Sequence, residues 1–139
     1  MPPFNRRVLV SGGVVASLGA SASIARQSHV ASDLIGASSI IHQVFFWLKN
    51  PGSKSDRDQL IAGLNSLRSI EVIQHLTIGV PASTEKREVV DASYDISELM
   101  IFKSVEDQKT YQDHAAHLKF VEQYGHLWRK VLVYDSRSL

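Results

Sequence analysis

Three side chains that can carry protons crowd into the segment YQDHAAHLKF, where Tyr111, His114 and His117 fall within seven positions. An imidazole titrates near pH 6.5 in water, so it can take and return a proton at neutral pH. A phenol can donate a hydrogen bond to an enolate or oxyanion, or orient the imidazole. Such a pair needs no cofactor to draw a proton from carbon beside a carbonyl, to close an aldol, or to run a small lyase step. Acid–base help of this kind is worth about 10²–10⁴ in rate. On an unbroken helix, His114 would stand about 60° from each neighbour, and Tyr111 and His117 about 120° apart. A break in the helix, or a bound ligand, must therefore bring the outer pair onto one atom. The competing reading is structural: Tyr111 packs in the core with its hydroxyl at the rim, and the histidines cap or decorate the helix.

A metal reading is weaker. His114 and His117 could share a face, with His75 or Asp113 adding a ligand. The spacing is not the i, i+4 pair of a zinc-protease helix, and no carboxylate cluster accompanies it. The chain has no cysteine. That excludes disulfides, thiolate metal sites and cysteine nucleophiles. No metal and no cofactor are expected.

The elements that must position these residues occupy the chain from residue 40. IIHQVFFWL, residues 40–48, is β-branched and aromatic and stops at Asn50-Pro51-Gly52, a turn. SDRDQLIAGLNSLRSI follows with helical spacing of Leu60, Leu64 and Leu67, with Ser55 as its expected cap. IQHLTIGVP, residues 73–81, and YDISELMIFK, residues 94–103, return to strand character on either side of a charged loop, ASTEKRE. Ser104 and Asp107 open a second helix that holds Tyr111 and runs to about Gly125, with a break expected near His114. RKVLVYD, residues 129–135, closes the chain as a strand. The order β-α-β-β-α-β predicts an α+β, ferredoxin-like fold: an antiparallel four-stranded sheet with two helices on one face.

Two helices cover one face of such a sheet. On the first strand Ile40, Val44, Phe46 and Leu48 point one way, and Ile41, Phe45 and Trp47 the other. The last strand sets Val131 and Val133 against Leu132 and Tyr134. A sheet with one wet face would alternate apolar and polar residues. Each large side chain left bare forgoes roughly 1.5–3 kcal/mol of burial. A second sheet from an identical subunit is the simplest cover, giving a homodimeric α+β barrel. The rival is a monomer in which some of these side chains line a pocket. On the strands, His42 could enter a pocket or be a hydrogen-bonded core histidine. Phe45, Trp47, Met100 and Phe102 could wall an apolar ligand cavity or be plain core.

The first 25 residues differ in kind. MPPFNRR is basic, and VLVSGGVVASLGASASIA, residues 8–25, carries no charge and ends in small residues. This is the plan of an export signal, with cleavage sites at Ala20-Ser21-Ala22 or Ser23-Ile24-Ala25. The arginine pair in NRRVLV resembles a twin-arginine signal, although Asn5 and Leu9 depart from that pattern. The alternative is a retained membrane anchor, for which eighteen residues is near the lower limit. We expect cleavage, no stable membrane span afterwards, and a periplasmic or secreted protein. Residues 26–39 read as a polar linker. Beyond residue 25, 13 basic side chains face 14 acidic ones. That balance offers no clustered basic face for nucleic acid.

IHQVFFWLK, YDISELMIFKS, YQDHAAH and WRKVLVYD, in this order and spacing, resemble the stress-responsive A/B barrel (Dabb) domain, over about residues 40–136. The resemblance implies a dimeric α+β barrel. It also implies a site, since a plant cyclase of that family closes a polyketide ring with a tyrosine and the second histidine of this motif. Those roles would fall on Tyr111 and His117, with His114 as the motif's first histidine and His42 as the histidine of the opening strand. Ala115 stands where the family usually has proline, and Ile96 where the cyclase has a further pocket histidine. The expected function is binding of a small apolar or carbonyl-bearing molecule, with His42, His114, Phe45 and Met100 around it and Tyr111 and His117 as the acid–base pair. A stress-associated structural or interaction protein without turnover is the alternative from another class.

Overall fold

The computed structural model describes residues 35–139. The expected export signal, and the linker as far as residue 34, lie outside the described residues. Residues 36–39 turn back on themselves, with the Ser39 amide donating to the Gly36 carbonyl at 3.1 Å. The turn is tied to the far end of the chain. The Ser38 amide donates to the Ser138 carbonyl, and the Ser138 amide donates to the Ser39 carbonyl.

Strand β1 spans Ile40–Leu48, and α1 spans Lys54–Ser66 and tightens into a 3-10 turn at Leu67–Ser69. Strands β2 (His75–Gly79) and β3 (Ile96–Phe102) follow. Two short helices, α2 (Val105–Asp113) and α3 (Ala115–Tyr124), lead through a 3-10 turn at Gly125–Leu127 into β4 (Trp128–Arg137). The sheet order is β2-β3-β1-β4, and every adjacent pair is antiparallel. This is the ferredoxin-like arrangement that the element order predicts.

The cap of α1 is Ser53, not Ser55 as the sequence suggested. Gly52 takes φ +80° in the turn after β1, a conformation that glycine adopts without strain. That brings the chain into the helix two residues early. Ser53 stays extended and its hydroxyl accepts from the Asp56 amide at 3.2 Å, while Ser55, already helical, accepts from the Gln59 side chain. At the second helix Ser104 caps as expected, accepting from the Asp107 amide at 3.1 Å.

Alternation along the strands sends Ile96, Glu98, Met100 and Phe102 of β3 toward the helices, together with Ile40, His42, Val44, Phe46 and Leu48 of β1. Leu60, Leu64 and Leu67 meet them from α1, fully buried. Helices α1 and α3 touch closely: a β-carbon on Gly63 would lie 2.7 Å from the Tyr124 ring. On the opposite face, Trp47 is shielded by its own chain. Its indole donates to the Ser93 hydroxyl at 3.0 Å, and Lys130 sits 4.3 Å over the ring. Phe45, Leu99 and Leu132 on that face are only half-buried, and Tyr134 is exposed. Among the described residues, no helix is long and apolar enough to cross a membrane.

Candidate functional site

The helical break at His114 is complete. His114 has φ −64° and ψ 137°, so it ends α2 and begins α3. It does so without the proline ring that forces its predecessor out of the helical region. The imidazole replaces that constraint with a cap: the Ala116 amide donates to His114 Nδ1 at 3.0 Å. Freed by the kink, the Gln112 carbonyl is met by His117 Nδ1 at 2.9 Å. The bend swings His117 under Tyr111, and their ring centroids lie 4.6 Å apart. The pair that an unbroken helix would splay is thereby in contact.

A carbonyl only accepts, so His117 Nδ1 carries the proton and Nε2 keeps its lone pair. Burial lowers the His117 pKa, against the Gln112 carbonyl, which raises it, and with help from nearby His42. The ring is neutral at pH 7 and ready to accept a proton at Nε2. Burial also raises the Tyr111 pKa, and the charge of Glu98 adds to that. Tyr111 therefore keeps its proton and can act as a donor.

His42 closes the third side. Its ring stands edge-on to Tyr111 at 5.8 Å and to Phe102 at 6.1 Å. In the sheet register it lies opposite Asp135, and its Nδ1 donates to Asp135 Oδ1 at 2.6 Å. This bond fixes the ring and leaves Nε2 as its free nitrogen. Met100, opposite His42 on β3, is fully buried on the same face.

The structure thus brings together Tyr111, His117, His42 and Met100. It does not bring in His114, which is exposed and spent on capping, or Phe45, which packs on the other face against Tyr94 and Tyr134. His75 hydrogen-bonds Thr77, and Asp113 pairs with Lys109. Among the described residues no group of three His, Asp or Glu could hold a metal. Two residues that the sequence reading passed over join the cluster. Asp135 is one. Glu98 is the other: it is 3% exposed among Ile96, Met100 and Phe102, its Oε1 has no hydrogen-bond partner, and burial pushes its pKa up to about 8. Alternation along ISELMIFK was the signal for it, because a lone acid stands there on the inward side.

Of the clefts that open at the surface, two are lined by residues other than Tyr111, His117 and Glu98. One of about 250 Å³ runs along Ile40, Val105, Gln108, Asp135 and Arg137 and so ends on the carboxylate that holds His42. Another, of about 280 Å³, lies between Leu48, Arg57, Pro81, Tyr94 and Asp95.

A ferredoxin-like sheet with a buried tyrosine–histidine pair at a kinked second helix defines an α+β-barrel class of protein. The model of the stress responsive A/B barrel (Dabb) domain matches residues 40–138, and the chain belongs to that family. Solved structures agree in fold. The hydroxynitrile lyase from Passiflora edulis superposes with a TM-score of 0.64 at 20% identity, over 75% of this chain and 96% of its own. A Dabb family protein from Mesorhizobium loti gives 0.60 at 22% identity, over 73% and 98%. A dimeric ferredoxin-like protein from Thermobifida fusca gives 0.59 at 15%, over 74% and 93%. Among curated proteins, none matches this chain.

Proposed function

We propose that this chain acts as a homodimer that binds a small apolar or carbonyl-bearing molecule between sheet and helices, with His117 as base and Tyr111 as hydrogen-bond donor. The observation that carries this reading is the buried contact between a neutral imidazole, held through Nδ1, and a phenol that keeps its proton. Cofactor-free proton transfer beside a carbonyl, of cyclase or lyase type, is the chemistry such a pair performs. A lyase on this fold, the Passiflora edulis protein, agrees in class. The homodimer accounts for the half-buried Phe45, Leu99 and Leu132 and the exposed Tyr134, and the related Thermobifida fusca protein is dimeric. Residues 1–25 act as an export signal in this reading. N-terminal sequencing of the mature protein should then begin just after Ala22 or Ala25, and a mature chain starting at residue 1 or 2 rejects it.

One observation favours the non-catalytic alternative: Tyr111 is only 2% exposed, and the clefts described above are lined by other residues. A thermal-shift screen of small carbonyl compounds separates the two readings. Under the binding reading, Tyr111→Phe and His117→Ala lose most of a ligand-induced shift while still folding. If both variants merely melt earlier and ligands shift them as they shift the wild type, the pair is structural.

A further inference from the structure

A buried carboxyl without a partner costs a fold free energy, so its presence calls for a reason. Glu98 lies on the helix-facing side of β3, opposite Val44 of β1 and Ile78 of β2. Its strand neighbours on that side, Ile96, Met100 and Phe102, are fully buried and apolar. They offer it no hydrogen bond, and Oε1 has none. The same face holds His42, two residue pairs along the ladder, and Phe102, whose ring lies 5.2 Å from Tyr111. Glu98 is also near enough for its charge to act on the Tyr111 hydroxyl. The carboxyl therefore faces the same interior as the proposed acid–base pair, with no salt bridge or cap to account for it.

We propose that Glu98 is a third binding group of this site, whose carboxylic acid donates a hydrogen bond to the oxygen of a carbonyl or phenol ligand beside the Tyr111 hydroxyl. This rests on the functional reading above and narrows it, because the ligand must bring an oxygen acceptor into an otherwise apolar wall. Burial holds the acid in its neutral, donating form up to about pH 8. Two neutral donors converging on one oxygen would hold negative charge that develops there. A carboxylate would instead demand a cationic partner, and among the described residues no lysine, arginine or histidine pairs with Glu98.

The test uses the full chain with 2-naphthol, an apolar bicycle bearing one oxygen, and naphthalene, the same frame without it. Binding is followed by fluorescence and by thermal shift. Glu98→Leu should weaken 2-naphthol by about tenfold or more while leaving naphthalene unchanged. Glu98→Gln keeps shape and an N–H donor, so it should hold 2-naphthol within about threefold of the wild type. Wild-type affinity should fall as pH rises past about 8, and Glu98→Gln should lack that fall. The last comparison decides the matter even if Glu98→Leu does not fold. Equal 2-naphthol binding by wild type and Glu98→Leu overturns the proposal, as does an identical pH profile in Glu98→Gln. If Tyr111→Phe and His117→Ala lose binding while the Glu98 variants do not, the acid–base pair stands and this proposal falls. If only the Glu98 variants lose it, the proposal stands and the role given to His117 falls. No saturable binding of 2-naphthol by the wild type overturns both.

Discussion

The two faces of the sheet are made by the same strands, residue by alternate residue, and they end in different states. Toward the helices Ile96, Met100 and Phe102 have no exposed surface, and the polar groups among them, His42, Glu98, Tyr111 and His117, are buried too. On the other side Phe45, Leu99 and Leu132 stay half-buried, and Tyr134 is 58% exposed. The chain covers most of one face itself, with Val131 and Val133 still exposed at its β4 edge, and leaves the aromatic and aliphatic residues of the other only partly covered. Only the enclosed face has the low dielectric that shifts ionisation and strengthens hydrogen bonds, so the groups fit for chemistry collect there. The open face has the aromatic and aliphatic character of an interface core.

The sharpest way to break this contrast is to delete one large side chain from each face. Phe102→Ala removes a fully buried ring in contact with Tyr111 and His42 and should cost about 3–5 kcal/mol in urea unfolding. If Phe102→Ala instead costs no more than a surface change, the helix-covered face is not the core. The next effect belongs to the open face. Phe45→Asp sets a charge among Tyr94 and Tyr134 and should halve the mass seen by light scattering while leaving the helical signal in place. The loss of one buried aromatic alone is about 1.5–3 kcal/mol, enough to raise a dimer dissociation constant tenfold or more. Unchanged mass in Phe45→Asp would mean that this face is not where copies meet.

How much of this was legible in the sequence follows from which forces are local. The four strands and their order could be read because β-branched and aromatic runs alternate with Leu60-Leu64-Leu67 spacing, and each signal resides in its own segment. Apolar residues on both sides of β1 marked the second face. The Trp47 cover could not be read, because Ser93, Tyr94 and Lys130 reach it from two distant segments. The kink at His114 was expected from the motif, yet its cause was not. With Ala115 in place of proline, the break depends on an imidazole cap and on a carbonyl that His117 claims. Asp135 finds His42 only through strand register, 93 residues away. Glu98 is visible as an inward acid in an apolar strand, but that it lacks a partner depends on Val44 and Ile78, which face it across the ladder from distant segments.

The smallest effect is the most discriminating, because it separates two buried groups on the same face by the sign of their pH dependence. Glu98 has a folded pKa of about 8 against an ordinary 4.5. Between those values the unfolded chain has lost a proton that the folded chain keeps. Stability therefore falls as pH rises through that window, by about 1 kcal/mol per pH unit for this group alone. His117 runs the other way. Its folded pKa lies below the ordinary 6.5, so its contribution is present above pH 6.5 and is lost as pH falls below it. From pH 4.5 to 6.5 the two slopes oppose, and from 6.5 to 8 Glu98 acts unopposed. Urea unfolding across pH 5–8.5 should show the wild type losing stability above pH 6.5, and Glu98→Gln flat there with its acid-side loss intact. His117→Gln should show the converse. A Glu98→Gln profile parallel to the wild type above pH 6.5 would mean that the carboxyl reaches water or a partner, and the enclosed face would then lose its claim to hold an acid in the neutral form.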